Sequence, residues 1–309
     1  MKYVKFGTNE SQASEIILGL MRISSMNAGE VEYLIDSALA QGINFLDTAD
    51  CYANGYCETL LGEVLQKRPD LRQKVLIQSK CGIRVDPDFV WYDFSKEHIL
   101  NSVDGILSRL KTDHLDSLLL HRPDALMEAD EIAEAFNRLH EQGKVLNFGV
   151  SNQNPMMMEK LRRSVSFPLA ANQIQLSCAF SPTITSGFTV NMYWDGAVMR
   201  DGGILEYCQM NDIAVQSWSS LQYGFFDGVF IGSDKYPELN SVLNRIAAEK
   251  NVSATAVALA WILRYPAKMQ AVIGTTRVDR VVEAAKASDI ELSRKEWYEI
   301  YIKAGNRLP

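Results

Sequence analysis

The stretch LDTADCYANGYCETLLGEVL, residues 46–65, begins as the end of an apolar strand and finishes as a helix. Asp47 directly follows the apolar run INFL, and Tyr52 lies five residues later in a short loop. A buried strand followed at once by a helix is the repeating unit of parallel sheets that are covered by helices. The number of times this unit recurs along the chain therefore predicts the architecture.

The strand–helix unit recurs eight times. Short runs rich in Val, Ile and Leu have the length and composition of buried strands, and they occupy residues 15–20, 43–46, 74–79, 116–120, 145–150, 170–174, 213–217 and 269–273. Helical spacing of apolar residues follows them at about 29–41, 57–67, 95–110, 129–142, 154–164, 200–210, 236–250 and 278–287. Two additional helices are predicted at 253–264 and 293–303.

Eight such units in 309 residues predict a (β/α)8 TIM barrel, with residues 1–309 as a single domain. A doubly wound sheet is the alternative, but it typically has G-x-G-x-x-G after its first strand. Here the corresponding turn reads GLMRIS. The opening segments YVKF (3–6) and SEII (14–17) are predicted to pair as an N-terminal β-hairpin that closes the barrel floor. The two additional helices follow at the C-terminal end.

Composition excludes several classes of function. The net charge of −7 argues against general nucleic-acid binding, which favours basic chains. Neither a CxxC pair nor another zinc spacing occurs among the five cysteines, so no metal site or disulfide framework is predicted. No run of about 18 apolar residues indicates a membrane segment. We expect a cytoplasmic protein that is a monomer or a weak oligomer.

Four titratable side chains follow three neighbouring strands. Asp47 and Tyr52 follow the second strand, Lys80 the third and His121 the fourth. Because chemistry in these barrels takes place at the carboxyl ends of the strands, we expect the four to meet at one mouth. Each alone has an ordinary explanation, namely a turn aspartate, an exposed lysine, a structural histidine or a packing tyrosine. Their joint placement favours a functional cluster.

The cluster suits proton donation to a carbonyl oxygen. An ordinary tyrosine has a pKa of about 10 and is a poor acid at neutral pH. We expect the ammonium of Lys80 to lower the pKa of Tyr52, with Asp47 keeping Lys80 charged and His121 giving the substrate oxygen a second hydrogen bond. No nucleophile–base triad and no HExxH motif points to hydrolysis. The natural partner is a hydride from a nicotinamide cofactor.

A phosphate site is predicted after the eighth strand, in VIGTTRVDRVVEAAKA (272–287). A helix N-terminus with free N–H groups binds anions. Thr275 or Thr276 is expected to cap a helix that starts near Arg277, with Asp279 completing a capping box. Gly274 permits close backbone approach, and Arg277 and Arg280 flank the helix start. An ordinary capped surface helix remains the alternative.

These motifs resemble the aldo-keto reductase family over nearly the whole chain. FLDTADCYANGYCETLLG, IQSK and LLLHRP are similar to the segments that carry the family's tetrad, here Asp47, Tyr52, Lys80 and His121. GVSN, NQI and QSWSSL resemble its nicotinamide-binding segments. The short loops are similar to those of a little-characterised bacterial branch.

The resemblance implies how a nicotinamide dinucleotide would bind. Ser151, Asn152 and Gln173 would hold the carboxamide, and Trp218 would stack on the ring. Ser219 and Leu221 would run along the pyrophosphate. Met21 and Arg22 would lie near the nicotinamide ribose, and Thr276, Arg280 and Glu283 at the adenosine end. Gly274 stands where many members have proline and Thr275 where many have a basic residue, so NAD is also possible. Two arginines near a 2′-phosphate favour NADP as NADPH.

Small aldehydes and ketones are the expected substrates. Trp91, Tyr92, Tyr193 and Trp194 are candidate pocket walls or loop anchors, and residues 222–236 are expected to fold over the cofactor. Two alternatives stay open. One is a nucleotide-binding, redox-sensing or regulatory barrel protein with slow turnover. The other is a cofactor-free lyase that uses Lys80 as a Schiff-base amine.

Overall fold

A closed barrel of eight parallel strands forms the centre of the computed structural model, which describes residues 1–190, 192, 195–198 and 202–308. In chain order the strands are β1 (Tyr3–Phe6), β2 (Ser11–Ser14), β3 (Ile16–Gly19), β4 (Phe45–Asp47), β5 (Leu76–Cys81), β6 (Ile83–Val85), β7 (Val90–Tyr92), β8 (Ser117–Leu120), β9 (Phe148–Ser151), β10 (Leu169–Gln175), β11 (Ala214–Trp218) and β12 (Met269–Ile273). The barrel runs β3-β4-β5-β8-β9-β10-β11-β12 and closes from β12 onto β3. The predicted (β/α)8 barrel is confirmed.

Helices cover the outside of the barrel. They are α1 (Ala28–Ala40), α2 (Tyr56–Lys67), α3 (Pro69–Arg72), α4 (Lys96–Leu110), α5 (Ala129–Glu141), α6 (Pro155–Arg162), α7 (Pro182–Phe188), α8 (Ile204–Met210), α9 (Pro237–Lys250), α10 (Ala254–Leu263), α11 (Val278–Ala285) and α12 (Arg294–Lys303). Short polar residues start several of them; Asn27 and Glu30, for example, form a capping box on α1. The helix predicted at 200–210 begins at Ile204, and residues 200 and 201 lie outside the described residues. Helices α3 and α7 and the two-stranded sheet β6–β7 were not predicted.

The N-terminal hairpin exists, but its predicted pairing is wrong. Strand β1 pairs antiparallel with β2, matching Tyr3 with Ser14 and Phe6 with Ser11, so that of SEII only Ser14 lies in the second strand. Ile16 and Ile17 belong instead to β3, whose two edges bond to β12 and β4 in the barrel. A strand with both edges paired has no free edge for the hairpin. Residues 11–14 therefore supply the second strand.

The barrel interior is apolar at its lower end. Phe6 of the hairpin packs edge-on against Phe45 at 5.0 Å between ring centroids, and both are buried. Ile17 and Leu119 join them in a small cluster enclosed by the strands. Burial of such side chains is the main favourable term in folding. The larger core lies between the strands and the helices, so the hairpin closes the lower end and leaves the upper end for polar side chains.

The predicted additional helices α10 and α12 pack together through two tryptophans. Trp261 and Trp297 stack with ring centroids 4.9 Å apart, and each indole N–H donates to the other's backbone carbonyl at 3.0 Å. In the described part of the chain, no single helix is long and apolar enough to cross a membrane. Helices α9 and α10 reach that length only together, with a bend of 95° between them.

Candidate active site

A cavity of about 840 Å³ opens at the carboxyl ends of the barrel strands. Its volume is within the range of small-molecule sites. The predicted site residues that line it are Met21, Arg22, Asp47, Tyr52, His121, Ser151, Asn152, Gln173, Trp218, Ser219, Leu221, Gly274, Thr275, Arg280 and Glu283. Lys80 lies beneath the cavity and is fully buried. Thr276 and Arg277 are not part of the lining.

Lys80 lies at the centre of the predicted cluster. Its Nζ donates to Asp47 Oδ2 at 2.8 Å, to the backbone carbonyl of Thr48 at 2.7 Å and to the Tyr52 hydroxyl at 3.3 Å. These three acceptors use all three N–H groups of the ammonium. The structure thus brings Asp47, Lys80 and Tyr52 into contact.

The start of α2, directly after the loop 48–55 that carries Tyr52, is held by a buried carboxylate. Glu58 accepts from Ser79 Oγ at 2.6 Å and from Arg109 Nε at 2.8 Å, which ties α2 to β5 and α4. Gly55 ends the loop at φ 83°, and a Cβ there would lie 2.7 Å from Arg109 Nε. Only glycine adopts this conformation without strain and also leaves room for the arginine.

The pKa of Tyr52 differs from the sequence-based expectation. Burial raises it, Lys80 lowers it by less and Asp47 raises it again, so that the pKa reaches about 12. The prediction of a lowered pKa is therefore wrong, because the loss of water around the phenolate outweighs the effect of the ammonium. Burial by itself would lower the pKa of Lys80, but Asp47 and Tyr52 together raise it. At neutral pH the lysine is charged and the phenol keeps its proton.

His121 lies beside Tyr52 as a neutral side chain. The two rings meet edge to face with centroids 5.7 Å apart, and His121 Nδ1 is 3.6 Å from Cys51 Sγ. Burial, with the charges of Lys80 and Arg122, holds the pKa of His121 well below its usual value. A neutral imidazole can donate one hydrogen bond and accept another.

A chain of hydrogen bonds links the residues expected to hold the nicotinamide. Trp218 Nε1 donates to Asn152 Oδ1 at 3.1 Å, Asn152 Nδ2 donates to Ser151 Oγ at 2.8 Å, and Ser151 Oγ donates to the carbonyl of Gln173 at 2.8 Å. Asn152 adopts a left-handed conformation with φ 56°, which asparagine tolerates better than most residues. These hydrogen bonds fix one edge of the Trp218 indole at the cavity wall.

The predicted cap of helix α11 is wrong. The helix starts at Val278 with Arg277 as its N-cap, and no side chain caps it. Thr275 Oγ1 accepts from the backbone N–H of Arg277 at 3.1 Å in a local turn. Asp279 does not complete a capping box because Arg277 takes its carboxylate, with Arg277 Nε 3.0 Å from Asp279 Oδ1.

The helix start nevertheless retains features that suit an anion. Its first N–H groups have no side-chain cap, and such groups bind phosphates. A Cβ on Gly274 would meet no atom within 4 Å, so open space lies beside the backbone there. Arg280 and Glu283 line the cavity nearby. These residues fit the phosphate end of a dinucleotide.

Arg122 is a pocket residue that the sequence analysis missed. Its guanidinium lies 5.2 Å from the ring centroid of Trp218 and 5.5 Å from that of Phe225. Among the described residues no carboxylate forms an ion pair with it. Its position directly after His121, at the end of β8, is a signal that could have identified it.

The predicted wall residues have different positions. Tyr92 lines the cavity, whereas Trp91 Nε1 donates to Asp86 Oδ2 at 2.6 Å and Arg84 lies 5.0 Å from the Trp91 ring, so Trp91 anchors its loop. Tyr193 and Trp194 lie outside the described residues. In segment 222–236, Phe225, Phe226, Val229 and Ile231 line the cavity. The folding of this segment over a cofactor stays a prediction.

One group of possible metal ligands lies at the cavity edge. Ligand atoms of Asp50, Cys51 and His121 lie within 4.8 Å of one another. A metal requires the cysteine as a thiolate. Burial and the nearby Asp50 raise the pKa of Cys51 to about 12, so the thiol is protonated at neutral pH. A metal that bound there would have to displace this proton.

Known proteins resemble this chain over nearly its whole length. A family model for the aldo/keto reductase family matches residues 15–304. A 6-dehydroglucose reductase of Agrobacterium fabrum is 35% identical in an alignment 307 residues long, which covers 96% of this chain and 96% of the relative. The thermostable aldo-keto reductase Tm1743, solved with the inhibitor epalrestat, has a TM-score of 0.77 at 25% identity, covering 98% of this chain and 100% of its own. An aldo-keto reductase of Klebsiella pneumoniae in complex with NADPH has a TM-score of 0.75 at 25% identity, covering 97% and 93%.

Proposed function

The chain belongs to the aldo-keto reductase family, and we propose that it reduces small aldehydes or ketones to alcohols with NADPH. The observation that supports this most directly is the 3.3 Å contact between Lys80 Nζ and the hydroxyl of Tyr52, below an open cavity. A protonated phenol beside a fixed positive charge suits the protonation of an oxygen that becomes an alkoxide.

A bound nicotinamide cofactor would supply the hydride for the carbonyl carbon in the proposed mechanism. Tyr52 donates its proton to the carbonyl oxygen, and Lys80 stabilises the phenolate that remains. The raised pKa of Tyr52 is compatible with this role because an alkoxide is a much stronger base than a phenolate. Asp47 keeps the lysine charged and oriented. His121 offers the substrate oxygen a second hydrogen bond from a neutral ring.

The residues that we propose for the cofactor line the cavity, apart from Thr276 and Arg277. Ser151, Asn152 and Gln173 would hold the carboxamide, and Trp218 would cover the ring. The ribose, pyrophosphate and adenosine ends would contact Met21, Arg22, Ser219, Leu221, Gly274, Thr275, Thr276, Arg277, Arg280 and Glu283. The Klebsiella relative that was solved with NADPH supports this choice of cofactor.

We propose that Arg280 determines the preference for NADPH. It lines the cavity, whereas Arg277 is paired with Asp279 on the surface. A guanidinium without a carboxylate partner is free to bind a 2′-phosphate in charge-assisted hydrogen bonds. Arg277 would first have to exchange its partner.

Hydroxylated carbonyl compounds are the substrates to examine first. The Agrobacterium relative is a 6-dehydroglucose reductase, which points to a sugar-derived carbonyl. Arg122 has donors available at the cavity wall, and hydroxyl oxygens are suitable acceptors for them. Trp218 and Tyr92 add aromatic surface to the same pocket.

The test is oxidation of NADPH by the purified protein with a panel of aldehydes and ketones that includes 6-dehydroglucose. Loss of the cofactor's absorbance with at least one carbonyl supports the proposal. Tight nucleotide binding without turnover of any carbonyl would instead favour the regulatory alternative. Borohydride trapping of a substrate on Lys80 would favour the lyase, although full burial of this amine and its raised pKa oppose Schiff-base formation.

A further inference from the structure

Four buried glutamines form a layer inside the barrel, directly below the proposed catalytic residues. They are Gln78 of β5, Gln173 of β10, Gln216 of β11 and Gln270 of β12. Three are fully buried and Gln173 is 3% exposed. Barrel interiors are normally filled by branched apolar side chains. We call these four residues the glutamine layer.

Gln216 and Asp47 accept hydrogen bonds from the same two glutamine amides. Its Oε1 accepts from Gln78 Nε2 at 2.7 Å and from Gln173 Nε2 at 3.1 Å. The same two nitrogens donate to Asp47 Oδ1 at 2.8 and 3.1 Å. An amide nitrogen carries two hydrogens, so each glutamine uses one for the carboxylate and one for Gln216.

The direction of these hydrogen bonds is set from both ends of the network. At the barrel floor, Gln270 Nε2 donates to the backbone carbonyl of Ser14 at 3.0 Å, which can only accept. Gln270 Oε1 is thereby left to accept from Gln216 Nε2 at 3.2 Å, which turns Gln216 Oε1 towards Gln78 and Gln173. At the upper end, the carboxylate of Asp47 accepts as well. Only one orientation of each amide satisfies the whole network.

The orientation of Gln173 has a consequence for the cavity. Its Nε2 is used inside the barrel, and no described residue donates a hydrogen bond to its Oε1. Because Gln173 lines the cavity, the amide offers a ligand an acceptor and not a donor. The carboxamide of a nicotinamide has an NH₂ group that can donate to this oxygen.

We propose that Gln216 is a positioning residue that orients the Gln173 amide towards the carboxamide NH₂ and, through the same oxygen, orients the Gln78 amide on Asp47. This inference rests on the proposed function. It couples recognition of the nicotinamide to the carboxylate that holds Lys80, because Gln173 contacts both. Removal of Gln216 takes away one of the two acceptors that orient each amide.

The test compares the affinities of NADP⁺ and its 3-acetylpyridine analogue, in which a methyl group replaces the carboxamide NH₂. Dissociation constants from titration calorimetry are expected to favour NADP⁺ by about tenfold in the unaltered protein, the value of one hydrogen bond. In Gln216→Met, which keeps the side-chain volume, we expect the ratio to fall to about threefold or less. Asn147→Leu is the control, since it removes a buried amide at the barrel floor that has no bond to Asp47. It should keep the full ratio even if the protein melts earlier.

A second variant gives the same test a pH readout. In Gln216→Glu, a protonated carboxyl can accept from Gln78 and Gln173 and donate to Gln270, so the affinity ratio should be restored. The ratio should stay high as the pH rises, because an ionised carboxyl still accepts from both amides. This variant also carries the test if Gln216→Met does not fold.

The possible failures are distinguishable. If neither dinucleotide binds the unaltered protein, the proposed function is wrong. If both bind and the ratio is near one in the unaltered protein, or stays near tenfold in Gln216→Met, the proposed function stands and the role of Gln216 is wrong.

Discussion

The two ends of the cavity differ in how far they are assembled. At the Tyr52 end, Lys80 has all three of its donors occupied and Asp47 accepts from Lys80, Gln78 and Gln173. At the α11 end, the helix start has no side-chain cap, and Arg277 bonds to Asp279 on the surface. Buried polar groups must find partners within the protein, whereas exposed ones are satisfied by water. Burial therefore assembles the residues of the proposed chemistry in advance. The proposed phosphate site is exposed, and we expect it to form only when the cofactor binds.

Tyr52→Phe should have the largest effect, because it removes the proposed acid and leaves its surroundings in place. We expect the turnover number for carbonyl reduction to fall by about 10²–10⁴-fold, with the NADPH dissociation constant nearly unchanged. Steady-state assays and fluorescence titration measure the two quantities. Tyr92→Phe, at another cavity tyrosine, should retain turnover. Near-normal turnover in Tyr52→Phe would show that another group donates the proton.

Lys80→Met tests whether the Tyr52 end depends on its buried ion pair. Removal of the ammonium leaves the carboxylate of Asp47 buried and unpaired, so the free energy of unfolding should fall by about 3–5 kcal/mol. Urea denaturation measures this change. The double variant Lys80→Met with Asp47→Asn should recover part of the loss. Arg277→Met, which breaks an exposed pair, should leave the denaturation midpoint nearly unchanged. Equal losses in Lys80→Met and Arg277→Met would contradict the comparison.

Arg280→Gln tests the α11 end of the cavity, where the phosphate site is proposed. Loss of a charge-assisted contact to the 2′-phosphate should weaken NADPH binding by about tenfold, with NADH binding unchanged. Arg277→Gln should weaken it by about twofold or less, because this guanidinium already bonds to Asp279. Titrations of both cofactors against the two variants measure the difference. A larger loss in Arg277→Gln would show that Arg277 leaves Asp279 for the phosphate.

The smallest effect on the turnover number is expected from a change of pH. In the proposed mechanism, reduction needs the protonated form of Tyr52, which is present below its pKa and lost above it. Burial raises that pKa to about 12 and holds the pKa of His121 well below its usual value. The turnover number for reduction should therefore change by less than about twofold between about pH 7 and pH 10. A fall centred between pH 7 and pH 9 would indicate that bound cofactor lowers the pKa of Tyr52.

Much of the site could be placed from the sequence because strand ends are local features. The apolar runs predicted the eight barrel strands, and the polar residues that follow them predicted which side chains share the mouth. Lys80 and Tyr52 lie together for this reason. Arg122 was missed although it follows His121 directly, since its guanidinium could equally have pointed to solvent.

The errors have two causes. The pairing of β1 and the pKa of Tyr52 depend on what a group meets from distant parts of the chain, whereas the cap of α11 depends on which of two local partners Asp279 takes. SEII has strand propensity, but its two isoleucines lie in β3, and both edges of β3 are hydrogen-bonded, to β12 and to β4. Asp279 has the spacing of a capping residue, but Arg277 takes its carboxylate.

The sequence by itself determined the order of the strands and which residues stand at their carboxyl ends, because hydrophobic periodicity and turn chemistry are read over a few neighbouring positions. Only the tertiary structure decided the direction of the Tyr52 pKa shift and the bonding of the glutamine layer. Closure of the barrel removes water from side chains that are far apart in the chain, and their charges and hydrogen bonds must then be satisfied by one another.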